Sequence, residues 1–210
     1  MIRHAAQFQP HGPLLALGTV KHFTQDQALY REGDPASYFM QLMGGVVRSV
    51  YLQRDGRRFI EAFHMSGDVF GMEAGAHYAK SAEAVCPCSA VFYPLQDIAL
   101  LNAGKDGLSW QVFDTMQREL QQARDHARLL SRANAWEKTG AFLLEYSSRA
   151  GGWPLVTLAM TRQDIGDYLG LTVETVSRTL AQLHRAGLIE MLAARSIRLL
   201  DIPALREMTV

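Results

Sequence analysis

Two cysteines in 210 residues, Cys86 and Cys88 with one proline between them, cannot build a disulfide framework. Nor can they supply a four-cysteine zinc or iron–sulfur site within one chain. No apolar run approaches the roughly 20 residues a membrane-spanning helix needs. The opening Met1-Ile2-Arg3-His4, followed by Gln, Pro and Gly, lacks the apolar stretch of a signal peptide, so the cytoplasm is the expected compartment. An excess of either charge is also missing: 21 basic residues face 21 acidic ones. Residues 135–210 repeat that balance with eight of each. Composition therefore gives no argument for a polyanionic partner, since affinity for phosphates comes from Lys and Arg. A basic face has to come from arrangement, with Arg162, Arg178, Arg185, Arg195 and Arg198 available to share one.

Three stretches with different periods are present. Between residues 20 and 95, Gly33, Gly44/Gly45, Gly56 and Gly67 recur roughly every eleven residues, separating short runs rich in Val, Tyr, Phe and Ile. Val46 to Leu52 and Arg58 to Phe63 are two such runs, and the pattern predicts an all-β barrel or jelly roll. Asp55-Gly56 between them predicts a hairpin with a type I′ turn. Cys86 and Cys88, two apart, would face the same side of a strand. They are read as small core thiols, with a redox switch as the alternative.

Near Leu108 the period changes. Phe113, Met116, Leu120, Ala123, Ala127 and Leu130 follow steps of 3, 4, 3, 4 and 3, the narrow a/d seam of a coiled coil sustained over about three heptads. The positions between them are polar, which suits a partner helix better than a broad core face. Dimerisation is the expectation, with Ala123 and Ala127 allowing close approach. After Asn134 compact helices follow: Trp136 to Ser147, then a breaker-rich loop from Arg149 to Pro154.

The segment from Thr161 to Leu180 carries most information. Thr161 caps a helix, with Asp164 three residues on beside the positive end of its dipole. Ile165 and Leu169 form an apolar face, Gly166 is small where the chain must cross closely, and Gly170 supplies a left-handed turn residue. Leu171 plugs the corner, Thr172 caps a second helix, and Val176, Leu180 and Leu183 form its buried face. The other face presents Val173, Glu174, Ser177 and Arg178 at its N-terminal end. In a helix-turn-helix that end enters the major groove. Arg178 can donate two bonds to guanine O6 and N7, and Glu174 can accept from cytosine N4. Gly187 to Leu200 then reads as a β-hairpin wing turning at Ala193 to Arg195, with Arg195 and Arg198 near phosphates.

With these residues in view, the chain resembles the CRP/FNR superfamily of bacterial transcription regulators over nearly its whole length. The β-roll matches at Leu29-Tyr30-Arg31-Glu32-Gly33-Asp34, at Asp55-Gly56-Arg57-Arg58 and at Gly67-Asp68-Val69-Phe70-Gly71. The string from Leu169 to Arg178 is most similar to the FNR and FixK branches. The resemblance implies an α+β fold: a jelly-roll domain of the cyclic-nucleotide-binding type over 1–107, a dimerisation helix over 108–134 and a winged helix-turn-helix over 135–210. It implies Glu174, Ser177 and Arg178 as base readers on palindromic TTGA-type half-sites. Arg162, Thr172, Thr175 and Arg198 become candidate phosphate contacts. It also implies double-stranded DNA, a second copy of the chain and RNA polymerase as partners, with no membrane. Arg57, Arg58 and Glu61 are left open between polymerase and the DNA-binding domain.

What such a regulator would sense is read from departures. The cAMP-binding pattern places Glu directly after Phe-Gly and an Arg-Ser pair on the cyclic phosphate. Here Met72 follows Phe70-Gly71, Glu73 comes one place later, and Lys80-Ser81 replaces Arg-Ser. Lysine lacks the bidentate fork of arginine. The N-terminal cysteines of the FNR iron–sulfur cluster are missing. The expectation is an effector-independent activator of the FixK kind with no cofactor, no metal and no catalytic residues. The alternative is a sensor in which heme, held through His64, His77 or Met72, or the two thiols gate the same DNA-binding domain. An enzyme on a cupin-like roll would need more His and carboxylate ligands on the strands than His64 and His77 provide.

Overall fold

The computed structural model describes residues 18–97, 108–132, 134–151 and 154–208, with backbone alone for 97 and 108–115. The described residues fall into two compact units: those up to Tyr51 with Phe63–Gln121, and Leu52–Ala62 with those from Gln122 onward.

The glycine-punctuated runs become strands β1 (Thr19–Phe23), β2 (Ala28–Tyr30), β3 (Tyr38–Gly44), β4 (Val47–Leu52), β5 (Arg58–His64), β6 (Val69–Phe70), β7 (Ser81–Ala84) and β8 (Cys88–Pro94), with most of β5 assigned to the second unit. They form two four-stranded sheets, ordered β1-β8-β3-β6 and β2-β7-β4-β5. The long central pair β3–β8 is antiparallel, with Phe39 opposite Tyr93 and Gln41 opposite Val91. Met40, Leu42, Phe70, Ala90 and Phe92 of one sheet share a core with Tyr30, Val47, Ala82 and Ala84 of the other. Burying each large apolar side chain there contributes about 1.5–3 kcal/mol. The Tyr30 and Tyr78 rings stack at 3.8 Å.

Two local expectations need correction. The β4–β5 connection is a hairpin, but its turn is not type I′. Gly56 has φ +82°, whereas Asp55 is not among the residues of positive φ. Gly56 N–H donates to Gln53 C=O, and the Asp55 carboxylate accepts from the Arg57 N–H and Nε. A longer loop closed by one left-handed glycine therefore does what a two-residue turn was expected to do. Second, Cys86 lies in the bend before β8, so only Cys88 is on the strand. Cys88 is buried, and burial pushes its thiol up to about 11, as a core thiol requires.

Helix α1 (Leu108–Ser131) leads into the second unit, followed by α2 (Ala135–Ala150), β9 (Leu155–Thr157), α3 (Arg162–Leu169), α4 (Val173–Arg185), β10 (Ile189–Ala193), β11 (Ser196–Leu199) and α5 (Ile202–Glu207). Asn134 caps α2 by accepting from Glu137 N–H, and Gly151 ends it at φ +64°. The wing is a three-stranded sheet ordered β10-β11-β9. Its hairpin was expected; β9 and α5 were not. Phe142, Leu143, Ile165, Leu169, Val176, Leu183 and Ile197 are each at most 2% exposed and form the core of this unit.

Candidate nucleic-acid interface

Short-range chemistry fixes the α3–α4 pair. The Thr161 side chain accepts from Asp164 N–H, while Asp164 accepts from Thr161 N–H at 2.9 Å, a complete capping box. Gly170, at φ +65°, closes α3 by donating to Gly166 C=O. Thr172 caps α4 by accepting from Thr175 N–H. A Cβ on Gly166 would sit 2.6 Å from the Leu171 carbonyl oxygen, so the close crossing expected there is made by the turn's own backbone.

Val176, Thr179, Leu180 and Leu183 turn inward from α4. Glu174 and Arg178 are exposed and Ser177 is half-buried, so the three base-reading candidates share one outward face at the helix N-terminus. Its own backbone N–H and the Thr172 hydroxyl hold the Glu174 carboxyl below the usual carboxylate range. It is ionised at neutral pH and can only accept, which suits a base amino group. Arg178 rests on Thr175 Oγ1 at 3.4 Å, and Arg162 of α3 reaches across to Ser177 Oγ at 3.2 Å. On the wing, Arg198 pairs with Glu190 at 2.8 Å, and Arg195 donates to Ala159 C=O. The Arg198 pair is largely exposed, so its strength is about 0–1 kcal/mol and it can exchange for a phosphate.

The neutral composition now has a physical resolution. Four carboxylates of the second unit, Asp164, Asp167, Glu145 and Glu190, are paired within it. Arg58, on the β4–β5 hairpin, donates from Nη2 to Asp164 at 2.6 Å and from Nε to Asp167 at 2.8 Å. Arg149 pairs with Glu145 on α2. Among the described residues, Arg162 and Arg178 have no carboxylate at ion-pair distance. Pairing therefore leaves the Arg162 and Arg178 guanidinium groups available beside Glu174.

The sequence leaves Arg58 open between polymerase and the DNA-binding domain; the structure places it on Asp164 and Asp167. Beside it, Phe59 lies 5.9 Å from His126 of α1. His126 in turn stacks on Tyr168 of α3 at 4.0 Å and donates from Nε2 to Tyr168 C=O at 2.8 Å. Burial pushes the His126 imidazole down, and the Tyr168 carbonyl partly opposes this. His126 and Leu129 form the buried side of α1, next to but not on the seam. Of the seam, Met116 is 54% and Leu120 46% exposed, Ala123 and Ala127 are exposed and Leu130 is half-buried. The Phe113 side chain lies outside the described residues.

In the β-roll, Ser81 Oγ accepts from Glu32 N–H at 2.9 Å, and Lys80 Nζ lies 6.0 Å over the Tyr51 ring. Together with Met72 after Gly71, this does not reproduce a grip on a cyclic phosphate, and the residues do not fit that ligand. His64 is buried, shares a 2.7 Å bond with Ser49 Oγ and stacks on Phe70, as a core histidine does. Among the described residues no three His, Cys, Asp or Glu side chains group as a metal site would need, and no helix is long and apolar enough to cross a membrane.

A β-roll followed by a winged helix-turn-helix with Glu174, Ser177 and Arg178 outward defines a DNA-binding transcription regulator. Residues 20–101 match the cyclic nucleotide-binding domain family, and residues 137–208 match the Crp-like helix-turn-helix domain family. The chain is 41% identical over 206 residues to the nitrogen fixation regulation protein FixK of Azorhizobium caulinodans, covering 95% of this chain and 83% of that one. It is 32% identical to FixK of Rhizobium meliloti, covering 99% and 93%. The solved structure of FixK2 from Bradyrhizobium japonicum superposes with a TM-score of 0.86 at 38% identity, covering 92% of this chain and 98% of that one. The protein belongs to the CRP/FNR family.

Proposed function

We propose that this protein is a homodimeric transcription activator that binds palindromic TTGA-type DNA in the cytoplasm without a small-molecule effector. The observation that carries the reading is the single outward face of α4, with Glu174, Ser177 and Arg178 at its N-terminal end. Thr172, Thr175, Arg162 and Arg198 flank that face where phosphates would run. Two copies of α4 about one duplex turn apart would meet successive major grooves, which is why the half-sites are two-fold related. RNA polymerase is the proposed further partner. Effector independence is supported by Lys80 and Met72 standing where the cyclic-phosphate grip needs Arg and Glu.

The test is binding of purified, additive-free protein to a palindrome of TTGA half-sites against a scrambled duplex, at one salt concentration. Tight and selective binding is expected, and Arg178→Ala should lose about 1–3 kcal/mol of discrimination at one guanine. Weak, unselective binding by the unaltered protein would reject effector independence; unchanged selectivity in the variant would mean that Arg178 does not read a base.

The exposed stripe of Met116, Leu120, Ala123 and Ala127 is the proposed dimer surface, with Phe113 and Leu130 at its ends. Leu120→Glu places a charge on the seam and should give monomers in sedimentation with loss of palindrome binding. A dimer of normal stability would show that the subunits meet elsewhere.

A further inference from the structure

We infer that Arg162 is a specificity-determining residue: it fixes the hydrogen-bond polarity of Ser177, so that Ser177 reads a base acceptor. The inference deepens the reading of α4 as the recognition helix and rests on it. A phosphate contact alone would require the Arg162 guanidinium to project from α3 toward the DNA backbone. Instead Arg162, at the first position of α3, turns across to α4 and donates from Nη1 to Ser177 Oγ, fifteen residues along the chain. Among the described residues no carboxylate holds it, in contrast to Arg149 and Arg198, which each pair with one, and to Arg48 and Arg58, which each bridge two.

The consequence follows from the hydroxyl's inventory. Serine has one hydrogen to donate and two lone pairs to accept with. Arg162 occupies a lone pair with a charged donor, which polarises the O–H and strengthens it as a donor in turn. A serine inside a helix often gives this hydrogen to the carbonyl four residues back. Ser177 makes no such bond, and no protein acceptor takes its hydrogen among the described residues. It is therefore available to an acceptor outside the protein, beside Glu174 and Arg178. The matching partner is a base edge with an acceptor: thymine O4, guanine O6 or a purine N7. A cytosine or adenine amino group at that point would have only the remaining lone pair, on an oxygen already holding a cation, and is disfavoured against an acceptor edge. Glu174, acceptor only, and Ser177, donor outward, thus read opposite chemistry along one helix face.

The test measures dissociation constants of the full-length dimer on every single-base substitution of a bound half-site, at two salt concentrations. Wild type is compared with Ser177→Ala, Arg162→Met, their double variant and Arg162→Gln. Ser177→Ala and Arg162→Met should each flatten the preference at the same base pair by about tenfold, and the double variant should flatten it no further. Arg162→Gln, which retains an amide N–H for Ser177 Oγ without the charge, should restore much of that preference. If Arg162→Met and Arg162→Gln both weaken all sequences alike, with a shallower salt dependence and the wild-type profile, Arg162 is a phosphate contact only and the inference is wrong. If Ser177→Ala leaves every position unchanged, the base-reading assignment of Ser177 itself fails, and this inference with it.

Discussion

Gly166→Val should abolish DNA binding on every sequence while leaving the dimer intact. The Cβ added at this position falls 2.6 Å from the carbonyl oxygen of Leu171 and 3.5 Å from its carbonyl carbon. That oxygen belongs to the backbone of the turn, so no side chain can swing away to make room. Gly166 C=O also accepts from the N–H groups of both Gly170 and Leu171, which ties the same residue to the turn a second time. Relief therefore requires α3 and α4 to separate, uncovering Ile165, Leu169 and Val176, each at most 1% exposed. Overpacking of a side-chain core costs about 1–3 kcal/mol, and a clash with backbone belongs at or above the top of that range. Denaturant unfolding should show the loss. Sedimentation should still show a dimer, because the proposed dimer surface lies on α1. A variant that binds the palindrome like wild type would mean that the α3–α4 crossing is looser than the 2.6 Å approach requires.

Arg58→Ala has the next largest expected effect, a loss of about 2–4 kcal/mol in unfolding free energy. The guanidinium bridges two carboxylates, and the Asp164 side chain is only 2% exposed. After truncation Asp164 retains its capping bonds to Thr161, and Asp167 retains the amide of Gln163 at 2.7 Å. Neither retains the cation, and two negative groups are left one turn apart on α3. Arg58→Lys should fall between the two, since an ammonium supplies charge but cannot reach both carboxylates with a planar fork. A loss under about 0.5 kcal/mol in the Ala variant would place this pair with ordinary exposed ones.

These two sites also show what a sequence can and cannot reveal. The helix-turn-helix was readable because its determinants are local. Thr161 with Asp164, Gly166 with Gly170 and Leu171, and Thr172 with Thr175 all act within five residues of one another. The β-roll was readable from its punctuation, although the Asp55-Gly56 pair suggested a tighter turn than the one formed. Its outcome depended on where the Asp55 carboxylate found its donors, which no dipeptide preference encodes. The Arg58 clasp was out of reach because its partner Asp164 lies 106 residues away. Strand β9 has three residues, too few to show a period, and becomes a strand only by pairing with β11 some forty residues later. His126 looked like one more polar residue beside the seam; only the Tyr168 ring, 42 residues on, makes it a buried one. Cys86 and Cys88 seemed equivalent on spacing alone, and the bend at Pro87 separates them.

Asp164 has a consequence for how far this protein can be taken apart and recombined. One of its carboxylate oxygens closes the capping box of α3, and the other receives the β4–β5 hairpin through Arg58. The segment that appears modular in the chain, from α2 to the C-terminus, thus has one of its anchors some eighty residues upstream of its first helix. A chimera cut near residue 134 and joined to a foreign N-terminal half would inherit Asp164 and Asp167 without Arg58. Its junction would be intact and its failure would lie elsewhere, in a hairpin that no cut-and-paste boundary would suggest including. The exchangeable unit is accordingly discontinuous: residues 52–62 have to travel with the helices they hold.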